Sequence, residues 1–405
     1  MRRVLPALAV AALMGITAAG AAGPLPAPKV SGPRTTTNIR PIFRLSAKGA
    51  VGFRCAFDRR RLHRCARRYS QRLTLGRHTL RVQAVGRNSR RSRVTLVRVR
   101  VLQKAPGLPT ISIVATISVG REPGAPATGF GAVWVPNTGD GTLARVDPAT
   151  NTVVARIAYA PPRPAGERGE FYDSATLGHG SVWVSSDEHG LVVRINPITN
   201  SVMTTIHVAA RPAEVTATTE AVWVAHFLNG LATRIDPATN VPAEHRVPSA
   251  PMTGAAAEGS TIWLLVNEPQ TVLHLDSAGH EIAHADVTPQ APVRRSFLST
   301  WWLASGEGAI WATHPNQDVV SRIDPATARV VARIPVTIGR LFGVAAGRGA
   351  AWAVTDRAVG RIELSTNRVV AKTPLPTSSF TGVSVGDGAV WATGYERGEL
   401  YRING

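Results

Sequence analysis

Cysteine is nearly missing. Cys55 and Cys65 are the only two in 405 residues, which leaves room for one disulfide and excludes a cysteine-rich metal centre. No cysteine follows the apolar run at the N-terminus, so a lipoprotein anchor is excluded too. Acid is scarce in one region: residues 34–104 carry 21 Lys and Arg against a single carboxylate, Asp58, whereas residues 105–405 carry 22 against 25. The chain's net charge of +20 therefore sits almost entirely on that short region. Lysine is rare throughout, 4 against 42 arginines, which reads as a coding bias rather than a choice of guanidinium chemistry. Aromatic residues make up 6% of the chain and few interleave with the arginines, which speaks against base stacking and any specific nucleic-acid readout.

What is present divides the chain. Arg2 and Arg3, the apolar run Val4 to Ala22 and the small residues Ala19, Gly20 and Ala21 fit an export signal over 1–23, with an uncleaved membrane anchor as the alternative. Either way the expected localisation is extracellular or in the cell envelope. Pro24, Pro26, Pro28 and Pro33 predict a stiff linker over 24–36.

Residues 37–104 alternate in short segments, Ile42 to Leu45, Val51 to Phe57, Leu80 to Val85 and Val94 to Leu102, which predicts a small β-sandwich. Cys55 and Cys65 flank Asp58-Arg59-Arg60-Arg61 and read as a disulfide closing a hairpin-like loop. Over residues 52–88, F-R-C-A-F-D-R-R-R-L-H-R-C and L-G-R-H-T-L-R-V-Q-A-V-G-R-N resemble the bacterial extracellular immunoglobulin-like modules. That resemblance implies a surface or spacer domain without catalysis. Arg59, Arg60, Arg61, Arg64, Arg67 and Arg68, with Arg72, Arg90, Arg91 and Arg93, form a strip that could neutralise an anionic cell-wall polymer or surface; the plainer reading is a solvated basic face.

Everything after about residue 110 is a repeat. Gly131 to Ile157, G-A-V-W-V-P-N-T-G-D-G-T-L-A-R-V-D-P-A-T-N-T-V-V-A-R-I, recurs with its Trp at 134, 183, 223, 263, 311, 352 and 391. Each copy holds an apolar Trp strand, an R-x-D strand, a tight D-P-A-T-N turn and a β-branched strand, preceded by a weaker segment such as Ala213 to Ala217. Four strands per roughly 40 residues, seven times over, predict an all-β seven-bladed β-propeller over 105–405. The last copy stops after its third strand, and Ile113 to Gly120 resembles a fourth strand without a Trp strand before it. The ring is therefore expected to close by pairing 111–120 with 399–405. The repeat resembles the YVTN-type propeller family and, more distantly, the streptogramin B lyases. In the lyases a His follows Pro at the head of two successive inner strands, assisted by Glu and Mg²⁺. The matching places here read Arg211-Pro212-Ala213 and Ala250-Pro251-Met252, so that chemistry is not carried over.

In a propeller the turns after the Trp strands and the inter-blade connections share one face, where ligands sit. The candidate binding residues are Asp187, His189, His226, Glu268, His314, Asp356, Arg357, Tyr395 and Arg397, with Trp301 from the long segment Asp286 to Trp302. Other polar positions on the same turns are Asn137, Asp140, Glu188, Asn229, Asn267, Asn316, Asp318 and Glu396; Phe171, Tyr172, Arg294, Arg295, Phe297 and Trp302 come from two insertions, Pro161 to Thr176 and Asp286 to Trp302. His189, His226 and His314 with Glu268 are candidate Mg or Ca ligands, or an acid and base, against the plainer reading of solvated loop residues. The expected function is a secreted or wall-associated, non-catalytic binding scaffold, monomeric and cofactor-free, whose loop face takes a small molecule, peptide, glycan or protein. The alternative is a Mg-dependent lyase of cyclic peptide lactones, or a lactonase.

Overall fold

A computed structural model describes residues 25–405 except 103–106, 165, 168, 170–172, 228–229, 248–251, 267–269, 288–301 and 377–379. The chain forms two compact units that divide after Gly107.

In the first unit the strands are β1 (Lys29–Ser31), β2 (Thr35–Thr36), β3 (Ile42–Ser46), β4 (Gly52–Phe57), β5 (His63–Cys65), β6 (Arg68–Ser70), β7 (Gly76–Val85) and β8 (Thr95–Val101). They form sheets of order β1-β3-β6 and β2-β8-β7-β4-β5. Alternation decides the faces. In β8, Val97, Val99 and Val101 turn inward and Leu96, Arg98 and Arg100 outward. The inward sets of both sheets meet in one core that contains Phe43, Phe53, Phe57, Leu80 and Val82. A disulfide joins Cys55 and Cys65 across β4 and β5, as expected. The linker reading of 24–36 is corrected: Lys29–Ser31 pairs with β3 and Thr35–Thr36 with β8. Both are edge strands, where prolines nearby cost no ladder hydrogen bonds.

Among its described residues the second unit forms seven four-stranded antiparallel sheets. In the first the strands are Ala127–Gly129, Ala132–Asn137, Thr142–Asp147 and Thr152–Ala158, running from inside outward. Each following copy of the repeat makes the next sheet, and the inner strands touch in cyclic order, that of the seventh, Phe380–Gly386, returning to Ala127–Gly129. Small residues permit this convergence: a Cβ on Gly382 would lie 2.7 Å from the Ala125 Cα. In the seventh sheet the outermost strand is β9 (Ile113–Ser118), paired antiparallel with Glu399–Ile403. The ring closes with the upstream segment that the repeat pattern assigned to it.

Packing between sheets rests on the seven repeat tryptophans, all fully buried. Each removes roughly 150–250 Å² from water. The Trp134, Trp183, Trp311, Trp352 and Trp391 indoles donate to the glycine carbonyl five residues upstream. On the neighbouring strand an Arg lies over the ring, as Arg194 does over Trp183 at 4.8 Å. The D-P-A-T-N turn is held as its residues dictate, with Asp147 Oδ1 accepting the Ala149 amide at 2.8 Å and Asn151 in the left-handed region at φ 56°.

Candidate ligand sites on the loop face

The connections between sheets fold back onto the turns after the Trp strands. Val208 N donates to the Gly190 carbonyl, Val336 N to Asp318 and Leu375 N to Arg357. Turn acids take part in the same clasp: Asp140 accepts the Arg121 amide and Nε, each at 2.7 Å, and Asp356 accepts the Arg340 amide at 2.8 Å. Many polar groups on this face are thus occupied in holding the ring together.

The expected histidines are placed likewise. His226 and His314 both stand three residues after their Trp, in the third and fifth sheets, and both are buried. Nε2 of His226 bonds Thr233 Oγ1 at 2.8 Å, and Nε2 of His314 bonds Ser321 Oγ at 2.8 Å, each to the third strand of its own sheet. Burial lowers the pKa of both, that of His314 to about 3. Each imidazole is bonded through Nε2 within its own sheet, and the two belong to different sheets. Glu268 and Trp301 lie outside the described residues, as do Phe171, Tyr172, Asn229, Asn267, Arg294, Arg295 and Phe297. Among the described residues no group of three metal-ligating side chains comes together.

Two catalytic spacings occur in the sequence outside their usual setting. His280-Glu281-Ile282-Ala283-His284 has H-E-x-x-H spacing, but Glu281–Asp286 is an outer strand. The same-face side chains of a strand lie about 13 Å apart at i and i+4, beyond the reach of one metal. Gly382-Val383-Ser384-Val385-Gly386 has G-x-S-x-G spacing, but it lies within an inner strand instead of a strand-to-helix turn, and Ser384 Oγ is shut off from solvent.

Two depressions of ligand size stand out among the described residues. One, of about 520 Å³, lies between the second and third sheets and is lined by Asp187, Glu188, His189, Val208, Ala210 and Arg211. Asp187 is buried, its Oδ2 accepts Arg211 Nη1 at 2.8 Å, and its amide donates to Asp173 Oδ1 at 2.9 Å. Burial raises the Asp187 pKa, and the Arg211 guanidinium pulls it back down. Beneath it Asp173, hydrogen-bonded to the Tyr159 hydroxyl, is driven by burial to about 7. Buried Arg163 holds Glu122 and Glu188 together at the rim. None of Tyr159, Arg163 and Asp173 belongs to the repeat's polar turn positions. Their signal was the length of the insertion that carries two of them.

The other depression, of about 770 Å³, lies between the fifth and sixth sheets. Its walls include Val336, Ile338, Gly339 and Pro374, with Asp318, Arg357 and Lys372 at the polar end. Arg357 is open to solvent and pairs loosely with Asp356 at 3.9 Å. Tyr395 is buried and Arg397 exposed on the seventh sheet's turn; neither lines a described depression. Glu214, on the third inner strand, is a further carboxyl raised by burial. Its equivalents are small residues or Trp302, which hides it from a reading of the repeat.

The ring is a β-propeller. A streptogramin B lyase structure is similar with a TM-score of 0.57 at 15% identity, covering 74% of this chain and 97% of that one. The virginiamycin B lyase from Staphylococcus aureus gives 0.55 at 14%, over 70% and 94%. The propeller domain of Cps50 (Swd1) from Myceliophteria thermophila gives 0.59 at 13%, over 73% and 99%. At such identities the likeness concerns the fold. No family model and no curated protein matches the sequence.

Proposed function

We propose that this chain is a secreted or wall-associated, non-catalytic binding protein. In this reading a seven-bladed propeller of the YVTN repeat type presents a small molecule, peptide or glycan site on its loop face. A basic immunoglobulin-like module attaches it to an anionic surface. The observation that carries the reading is the use of His226 and His314. The Nε2 atoms of the two residues best suited to acid, base or metal chemistry are spent on bonds within their own sheets, while the depressions present charged rims to solvent.

The likeness to two lyase structures supports the second reading, an enzyme opening a cyclic peptide lactone with Mg²⁺ or Ca²⁺. Incubation of the full protein with a streptogramin B depsipeptide and Mg²⁺, followed by mass spectrometry, separates the two. Unchanged substrate is expected; a ring-opened product whose yield scales with protein overturns the non-catalytic reading. For the binding role, wall-derived peptides and glycans are expected to raise the ring's thermal midpoint saturably, and Arg357→Ser or Glu188→Gln to blunt that rise. An unmoved midpoint with every class counts against it.

A further inference from the structure

The five-stranded sheet of the N-terminal unit turns its apolar residues inward, so the intervening positions face out. Those positions hold Arg64 on β5, Arg54 on β4, Arg77 and Arg81 on β7, and Arg98 and Arg100 on β8. Register sets four of them in direct cross-strand pairs, Arg54 opposite Arg64 and Arg77 opposite Arg100. Like charges in such pairs destabilise a sheet. Among the described residues no carboxylate relieves them. Asp58, the one acid nearby, is taken by His78 Nδ1 at 2.9 Å and the Thr79 amide at 2.8 Å. Arg54 donates to the Leu62 carbonyl, and Arg81 reaches that of Arg60 at 3.5 Å. The sheet thus holds six guanidinium groups on one face against their own repulsion. Of the arginine strip read from the sequence, Arg59, Arg60 and Arg61 follow β4 in the turn before β5, whereas Arg64 on β5 belongs to this face.

The chemistry of a partner follows from this lattice. Outward positions repeat about 6.8 Å along a strand, and neighbouring strands lie about 4.8 Å apart. Relief of paired arginines calls for a ligand with charge as dense as theirs. Polyuronates and polyol phosphates both carry one charge per repeat, but the uronate's sits on a stiff sugar ring whereas the phosphate's lies in a flexible backbone that can follow the arginine rows. The guanidinium fork meets phosphate oxygens bidentately. The unit's aromatic residues Phe43, Phe53, Phe57 and Tyr69 are buried, so the face has no platform for stacking bases. Resting on the attachment reading above, we propose that this face docks a linear polyol-phosphate polymer, with successive phosphates crossing the β5, β4, β7 and β8 rows.

The test uses the full protein and fluorescently labelled polyglycerol phosphate, with affinity measured by anisotropy between 50 and 300 mM NaCl. Four phosphates engaged predict a slope of about −3 for log K against log salt. Arg98→Ser with Arg100→Ser is expected to weaken binding at least tenfold at low salt and, by removing the β8 row, to flatten the slope by about 0.7. The same variant is expected to melt no lower than the parent at low salt, since repulsion is removed, so weaker binding cannot be ascribed to unfolding. Arg59→Ser, Arg60→Ser and Arg61→Ser together are expected to change affinity less than threefold. If the turn variant loses binding and the face variant keeps it, the inference fails while the attachment reading stands. If the parent does not bind polyglycerol phosphate, the inference fails; if it binds no polyuronate either, the attachment reading fails with it. Equal or tighter binding of a polyuronate or duplex DNA at matched salt overturns the choice of a polyol phosphate.

Discussion

Arg402 Nη1 donates to Asn151 Oδ1 at 2.9 Å, joining the last strand of the chain to the first turn of the ring across 251 residues. The same bond recurs around the ring. Arg145 reaches Asn200 at 3.0 Å, Arg194 reaches Asn240 at 2.9 Å, and Arg322 reaches Asn367 at 3.2 Å. In each case the Arg belongs to one sheet and the left-handed Asn to the turn of the next. At the junction of the fourth and fifth sheets both partners change together: His274 replaces the Arg, stacked on Trp263 at 3.8 Å, and Ala328 replaces the Asn.

Removing the closing member should cost most. Arg402→Ala loses its bonds to Pro148 and Asn151 and its seat over Trp391, about 2–3 kcal/mol together. The ring's thermal midpoint is expected to drop by about 5–10 °C. Calorimetry of Arg402→Ala beside Arg402→Lys checks this; a midpoint unchanged in both variants would discard the clasp.

The changed junction can be restored. His274→Arg with Ala328→Asn is expected to show a favourable coupling of about 1 kcal/mol beyond the sum of the single changes. A double-mutant cycle by chemical denaturation reads it, and additive singles would show that the two positions do not communicate.

Asp173 sets a pH dependence whose sign follows from its burial. The folded chain keeps the proton up to about pH 7, while the unfolded chain releases it near 4. Between these values the folded state holds the extra proton, so the Asp173 contribution falls as pH rises through the window and is level above it. His314 acts oppositely, since it stays neutral when folded and takes a proton below about 6.5 when unfolded. The two must be separated by difference. Asp173→Asn is expected to gain stability over the parent progressively from pH 4.5 to 7, read from thermal midpoints across that range. A constant difference would mean that the carboxyl is already ionised.

Deleting residues 106–120 strips the partner from Glu399–Ile403 and exposes Leu400, Tyr401 and Ile403, all fully buried now. Loss of the cooperative melt is expected, whereas deleting 25–104 should leave the ring's transition near its parent value. A normal melt after the first deletion would refute closure by β9.

The ring was legible because its repeat is written in large residues at fixed spacing: Trp134 and its equivalents, the Arg opposite them, and the turn Asn. Closure was legible because Ile113 to Gly120 repeats an outer strand alone. The sites were less so. Asp187 and Arg357 fell within depressions, but His226 and His314 look identical in sequence whether they face a ligand or Thr233 and Ser321. Arg163 and Asp173 gain their importance from contacts 41 and 14 residues away, which spacing does not encode. In the N-terminal unit, runs of consecutive arginines drew attention to a turn, while the outward face was spelled by alternation, as in Val97-Arg98-Val99-Arg100-Val101.

The closing pair also sets a timetable. β9 leaves the synthesis machinery first among the ring's strands, yet its mate Glu399–Ile403 arrives last, Glu399 following Ser118 by 281 positions (399 − 118). At about 5–20 residues per second that is roughly 15–60 s during which a β-branched strand waits with both edges bare. A nascent chain cut short before Glu399 can never complete its seventh sheet, so premature termination yields a molecule with open edges for proteases or aggregation to recognise.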